Sequence, residues 1–304
     1  MLSLSRRGLA AITAGALAAN PAFAQYADSK KLTATADSPW TEEGFVQRAG
    51  LRIHYVSMGT GPAIVLHHKL GGWVSDWRHV APALAKAGYR VIAIDMPGHG
   101  DSTVNSPAPF LQSLAESAAA VIETLDELKI DKFDFIGNSL GGCVGTVMAA
   151  RWPERFKHLI LLSVALGGGQ PREKLVNEVD QPGTWGPNGE PLPRSFEEQK
   201  KRFGFTDIKQ HEENEASRKK AGAWVRASER GVFVHNLVAE LPKITAPTLL
   251  IYGERGGYHD YEKPALANLK HARAVTIKNS GSHTHQDDPR ATEKVLLSFL
   301  AEPL

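Results

Sequence analysis

The sequence is short of cysteine, of net charge and of long apolar runs. Its 304 residues include one cysteine, Cys143, so no intramolecular disulfide can form. The 35 Lys and Arg nearly balance the 33 Asp and Glu, leaving a formal net charge of +2. Such a balance gives no basis for nucleic acid or an anionic membrane as a partner. Beyond Ala24 no stretch is apolar enough, over enough residues, to cross a bilayer. The one His-x-His pair, His283 and His285, has no third ligand cluster to accompany it, and neither a metal nor another cofactor is expected. What remains is ordinary globular composition, 42% hydrophobic, long enough for one large α/β domain or two small ones.

The first 24 residues read as an export signal rather than as part of a fold. Ser5-Arg6-Arg7 gives a basic start, Gly8 to Ala19 a mildly apolar alanine-rich middle, and Ala22-Phe23-Ala24 a small-x-small cleavage site. The Ser-Arg-Arg-x-Leu pattern looks like a twin-arginine signal. Cleavage after Ala24 would deliver a soluble, periplasmic protein, whereas an uncleaved segment would act as an anchor. Residues 25–43 are polar and read as a linker.

From there strands and helices alternate. Gly44–Ala49 and Leu51–Ser57 form a hairpin, and Ala63–His67 is a short buried strand. Ser75–Ala87 is a helix capped by Ser75 or Asp76, and Tyr89–Ile94 a strand. Phe110–Leu128 is a long amphipathic helix, and Phe133–Ile136 a strand. Cys143–Arg151 is a helix and His158–Ser163 a strand. After residue 246 the alternation returns with strands Thr248–Tyr252 and Ala274–Ile277, a helix near Tyr261–Leu269, and a final helix Arg290–Leu300. The expected architecture is α/β, a doubly wound, mostly parallel sheet with an antiparallel start. It divides into a first core part at 44–165 and a second at 234–304. Between them, residues 166–233 carry glycine–proline turns and two charged helical runs but no clear strand. They are expected to form a helical lid. Its aromatic residues Trp185, Phe196, Phe203, Phe205, Trp224 and Phe233 either line a substrate pocket or tether the lid to the body.

The stretch on which the chain turns is Phe135-Ile136-Gly137-Asn138-Ser139-Leu140-Gly141-Gly142. A strand runs into Gly-x-Ser-x-Gly and then into a helix. This context exposes a serine on a tight turn at a helix N-terminus, where free N–H groups and the helix dipole favour developing negative charge. Cys143, just beyond, is expected to be a packing residue.

Several motifs then occur in a familiar order: His67 after a buried strand, Asp95-Met-Pro-Gly-His-Gly-Asp-Ser102, the serine turn, Pro247-Thr-Leu-Leu-Ile-Tyr-Gly253, and a late histidine before Asp288-Pro289. Together they resemble the α/β-hydrolase superfamily over residues 45–300. Gly-Asn-Ser-Leu-Gly-Gly and the stretch Phe205–Trp224 look most like the meta-cleavage-product C–C hydrolases and related lid-bearing esterases. The resemblance implies a serine hydrolase acting on an ester, lactone or activated C–C bond of a small organic molecule. A haloperoxidase- or perhydrolase-like activity, or a degenerate binding protein, are the alternatives. Ser139 would be the nucleophile. His283 would be the base, with His285 as the alternative, although the family's glycine–histidine pair is here Gly281-Ser282-His283. The oxyanion would be held by the N–H groups of Leu140 and Lys69, although the family's His-Gly-x is here His67-His68-Lys69. The family's acid stands three residues after the strand-end glycine, and that position is Gly256. Asp260, or otherwise Glu254, is the candidate acid. The Asp95–Ser102 loop is assigned no catalytic role.

Overall fold

The computed structural model describes residues 26–48 and 50–303, and the expected export signal lies outside them. Ten strands make one sheet: β1 (Tyr26–Lys31), β2 (Glu42–Arg48), β3 (Leu51–Met58), β4 (Ala63–His67), β5 (Arg90–Ile94), β6 (Thr103–Val104), β7 (Phe133–Asn138), β8 (Phe156–Leu162), β9 (Thr248–Gly253) and β10 (Ala272–Ile277). Their order is β1-β2-β3-β5-β4-β7-β8-β9-β10, with β6 beside β3. Pairing is antiparallel from β1 through the β3–β5 contact and parallel from there to β10. The helices are α1 (Ala81–Lys86), α2 (Leu114–Glu127), α3 (Leu140–Arg151), α4 (Leu175–Glu178), α5 (Phe196–Phe203), α6 (Ile208–Ala221), α7 (Ala223–Val234), α8 (Glu262–Asn268), α9 (Thr284–Asp287) and α10 (Pro289–Leu300). No helix among the described residues is long and apolar enough to cross a membrane.

The central strands are apolar without a break because both faces of the sheet are covered. Successive side chains of β4 separate accordingly: Val65 joins one core with Phe133, Phe135, Val144 and Val147, while Ile64 and Leu66 join the other with Trp77, Leu84, Leu296 and Phe299. The first core lies under α2 and α3, the second under α1 and α10.

Three local expectations change. Tyr26–Lys31 is a strand paired with β2 rather than linker. It is an edge strand whose Ala27–Lys31 side chains are exposed, so no apolar pattern marks it, although Lys30 and Lys31 pair with Glu43 and Glu42 across the ladder. The helix expected over 75–87 is two pieces, a 3-10 turn at Val74–Trp77 and then α1, which has Pro82 in its first turn. There, Asp76 is buried and ion-paired rather than serving as a cap. The helix expected from Phe110 begins at Leu114, where Ser113 and Glu116 form a reciprocal capping box. Phe110 itself is exposed.

Between β8 and β9 the chain contributes no strand to the sheet and carries α4 to α7. The second of the two charged helical runs breaks at Gly222, φ 56°, into α6 and α7.

Candidate active site

Ser139 joins β7 to α3 with φ 50° and ψ −115°, a backbone conformation rare for a residue with a side chain. The glycines around it let neighbouring elements close in. A Cβ on Gly137 would lie 2.6 Å from the Gly141 carbonyl, and one on Gly141 would lie 2.2 Å from the carbonyl oxygen of His67. The Ser139 N–H donates to Leu162 O at 2.9 Å, and Ser139 O accepts from Cys143 N–H at 3.0 Å, which ties the turn to β8 and to its own helix.

Because Gly141 packs beneath the end of β4, the loop after His67 is held beside the elbow. His68 occupies the position where the family has glycine, yet it does not take a positive φ. Its imidazole is locked instead: Nδ1–H donates to Lys69 O at 2.8 Å and Nε2 accepts from Met96 N–H at 3.0 Å. The nearby left-handed position is Gly71, φ 68°. Lys69 is buried, lines the same cavity as Ser139 and pairs with Asp76 at 2.8 Å. The main-chain N–H groups of Lys69 and Leu140 donate to no acceptor among the described residues.

His283 arrives from the far end of the chain. Asn138, the residue before the serine, donates through Nδ2 to Leu162 O at 2.8 Å and to Ser282 O at 3.2 Å. Ser282 N–H donates to Phe203 O at 2.7 Å, docking this loop against the end of α5. The His283 ring packs against Phe205, with centroids 5.0 Å apart, and lines the cavity with Ser139. Burial, the Lys69 ammonium and His285 hold its pKa well below the usual imidazole value. His285 does not line that cavity. Its ring stacks on Trp77 at 4.2 Å and both of its nitrogens are buried without partners among the described residues.

No carboxylate joins them. His283 Nδ1 is buried and unpartnered among the described residues. Asp260 is exposed in the 3-10 turn His259–Tyr261. Glu254 is also exposed and accepts from Asn279 N–H at 2.8 Å. The structure therefore brings neither candidate acid to His283. Gly256 does come close: a Cβ there would stand 2.9 Å from Ser282 Oγ, itself buried and unpartnered. The position at which the resemblance puts the acid thus packs on the residue before His283, and it is a glycine.

The cavity over Ser139 has a volume of about 400 Å³. Of the aromatic residues between β8 and β9, Phe203 and Phe233 line it. Trp185 instead donates to Val179 O, Phe196 packs on His211, Phe205 backs His283, and Trp224 lies where a Cβ on Gly98 would stand. The lining also includes Lys69, Arg194, Arg202 and Arg218 against Glu178 and Glu229. Arg218 donates to Glu215 at 2.6 Å through Nη1, while its Nη2 is buried without a partner among the described residues. Burial and the neighbouring Arg218 and Arg202 charges push the Arg194 guanidinium down to about 10. Burial raises the Glu229 carboxyl above its usual value, the arginines working against it. Cys143 lines the cavity as a neutral thiol, pushed up to about 12 by burial.

Asp95 organises its loop and the following turn. It accepts from Val74 N–H at 2.8 Å, from Asp101 N–H at 2.9 Å and from His54 Nδ1 at 2.7 Å. Among the described residues, the one group with metal-ligand spacing is Glu43, His54 and Asp101. Lys30 and Lys220 already pair with its two carboxylates, and it includes neither His283 nor His285. Residues of the site that escaped the sequence reading include Asn138 as a tether, Tyr258, and the cavity-lining Arg194, Arg202 and Arg218.

A mostly parallel sheet with a strained strand-to-helix turn at the carboxyl end of a central strand defines a hydrolase architecture. Residues 62–226, just over half of the chain, match the family described as alpha/beta hydrolase fold, and the chain belongs to that family. Over 117 residues, 38% of this chain and 21% of the relative, it is 42% identical to bifunctional epoxide hydrolase 2 of Mus musculus. Over 133 residues, 40% of this chain and 44% of the relative, it is 40% identical to 2-hydroxy-6-oxononadienedioate/2-hydroxy-6-oxononatrienedioate hydrolase of Escherichia coli O81 (strain ED1a). The chain thus spans less than half the length of these curated relatives. The enol-lactonase of Burkholderia xenovorans LB400 shares the fold, with a TM-score of 0.68, 23% identity, and coverage of 83% of this chain and 98% of that one.

Proposed function

We propose that the chain is an exported serine hydrolase that opens an ester, lactone or activated C–C bond in a small anionic molecule. The observation that carries this is Ser139, held at φ 50° at the N-terminus of α3 and facing the same cavity as His283. Ser139 Oγ attacks the acyl carbon and gives its proton to His283 Nε2. The carbonyl oxygen takes the negative charge between the N–H groups of Leu140 and Lys69. The imidazolium returns the proton to the leaving group, and water then cleaves the acyl-enzyme by the same steps reversed. Residues 166–233 act as a lid, and its arginines receive the anionic end of the substrate. The names of the dioate hydrolase and the enol-lactonase agree with such a substrate. The missing carboxylate at His283 is the observation that favours a binding protein instead.

A fluorophosphonate probe, with Ser139→Ala as control, separates the two readings. The wild type should label on Ser139 alone. It should also hydrolyse carboxylate-bearing p-nitrophenyl esters, lactones or vinylogous diketones faster than neutral analogues. A folded wild type that resists labelling while a related esterase reacts would leave only the binding reading.

A further inference from the structure

His68 stands where the family has a glycine, and its ring is bonded at both nitrogens to the loops around the nucleophile. Lys69 to Gly72 form a tight turn: Gly72 N–H donates to Lys69 O at 2.9 Å, and Gly71, the third residue, supplies the left-handed φ of 68°. The same Lys69 carbonyl accepts a second bond, from His68 Nδ1–H at 2.8 Å. The other end of the ring is held too, because Nε2 accepts from Met96 N–H at 3.0 Å. A ring that accepts at Nε2 carries its proton on Nδ1, and complete burial keeps it neutral, its pKa lying well below the usual value. On the elbow side, a Cβ on Gly141 would stand 2.7 Å from His68 O. The peptide between residues 68 and 69 thus has the ring, the turn and the start of α3 around it, and it is the peptide that carries the Lys69 N–H.

We propose that His68 is a positioning residue of this site: its imidazole clamps the turn that aims the Lys69 N–H at the oxyanion. The proposal rests on the serine-hydrolase reading above, in which Leu140 and Lys69 are the two donors. Met96 belongs to the Asp95–Ser102 loop, so that loop reaches the site through this ring. Without the imidazole, Lys69 O loses one of its two donors and Met96 N–H loses its acceptor, both in a buried place. The 68–69 peptide can then turn, and a donor that must reorient during attack stabilises the oxyanion less than one already in place. His68 itself neither gains nor loses a proton in the reaction.

The test uses the full mature chain, a carboxylate-bearing p-nitrophenyl ester, and a trifluoromethyl ketone of matching chain, which captures Ser139 Oγ and places an oxyanion in the same hole. Thermal unfolding is measured alongside. Loss of one oxyanion donor costs about 10²–10³ in kcat, so a loosened donor in His68→Ala should cost about 10- to 100-fold. KM should stay within about twofold, and the ketone Ki should rise by the factor by which kcat/KM falls. A merely structural role would lower the unfolding temperature without that parallel. His68→Asn keeps a donor near the place of Nδ1 and should recover most of the loss. A folded His68→Ala with kcat and ketone Ki within about twofold of wild type overturns the proposal, as does a fall in kcat that leaves Ki unmoved. If His68→Ala does not fold, His68→Gln keeps an acceptor near Met96 N–H and withdraws the donor from Lys69 O. It should show the same paired losses, and wild-type values there overturn the proposal. A wild type that neither labels with the fluorophosphonate nor turns over the ester would sink the serine-hydrolase reading and this proposal with it, a result distinct from equal rates in wild type and variant.

Discussion

Gly256→Asp should restore an acid to the site, and the structure says how well. Gly256 has no positive φ, so its backbone accepts an aspartate. The new Cβ would sit 2.9 Å from Ser282 Oγ, 3.1 Å from Gly253 O and 3.3 Å from Ser282 Cα. The tightest of these contacts is with a hydroxyl that can rotate away and then donate to the carboxylate. The prediction is that its carboxylate accepts from His283 Nδ1, which is buried and unpartnered among the described residues. Leaving such a group unmatched costs about 1–3 kcal/mol, so the crowding is largely offset and stability should change by roughly 1 kcal/mol or less. Removing the acid from a complete triad costs about 10⁴ in kcat, because tautomer and orientation are lost. An acid added to a loop not shaped for it should recover only part, about 10- to 100-fold in kcat, or roughly 1.4–2.7 kcal/mol of barrier. The pH profile provides a second readout. His283 is active when neutral, and its pKa in the wild type lies well below the ordinary value. The acid limb of kcat/KM is therefore displaced to low pH. A carboxylate beside it favours the imidazolium, so the limb should move up toward about 6.5. Steady-state rates on one p-nitrophenyl ester, from about pH 4 to 8, measure both effects. A folded variant with unchanged kcat and an unmoved acid limb would refute the claim that position 256 is the empty place of the acid.

Three further outcomes follow from the same geometry. His283→Ala should cost at least about 10³-fold in kcat, and His285→Ala should act mainly on stability through its lost packing on Trp77; steady-state kinetics with thermal unfolding checks both. Asn138→Ala removes the bond to Ser282 O and should lower kcat about 10-fold or more while KM moves little, because it loosens His283 relative to Ser139. His67 and His99 are buried, chiefly by desolvation lowered to about 4 each, so the unfolded chain binds protons that the folded one refuses. Stability should be intact above about pH 6.5 and fall as pH drops toward about 4, by roughly 3 kcal/mol per histidine; urea titrations across that window measure it.

The features legible in the sequence are those that residue type enforces locally. Gly137 and Gly141 are glycines because the next backbone stands within 2.6 Å of where a Cβ would go, and the motif could therefore be read without coordinates. The central strands were legible because burial on both faces demands unbroken apolar runs. The strand at Tyr26–Lys31 was not, because pairing at an exposed edge asks for no apolar side chains. The helix expected over 75–87 failed for a related reason. Its apolar spacing suits a helix, but Asp76 is drawn to Lys69 and Trp77 into the core, so the chain turns before α1 begins. Within the site, counting from Gly253 led to Gly256, which packs on Ser282. Counting could not reveal that Asn138 reaches a carbonyl 144 residues away, or that Tyr258 lines the cavity with Ser139. Those relations are tertiary, and a single side chain carries no mark of them.

On the proposed reading, the departures at Lys69, His283 and Gly256 act in one direction. Lys69 brings a buried ammonium into the site, paired with Asp76 at 2.8 Å. An ammonium there favours an oxyanion forming near the Lys69 N–H, and the unpartnered Nη2 of Arg218 is a further donor among the cavity-lining residues. The site thus gives up base strength and gains stabilisation of negative charge. Attack on an ordinary alkyl ester needs the base to deliver a proton to a poor leaving group. Attack on an enol lactone or a vinylogous ketone needs less, because the departing enolate is already a stable anion. We propose that a weak, acid-free histidine among such donors suits the second kind of bond.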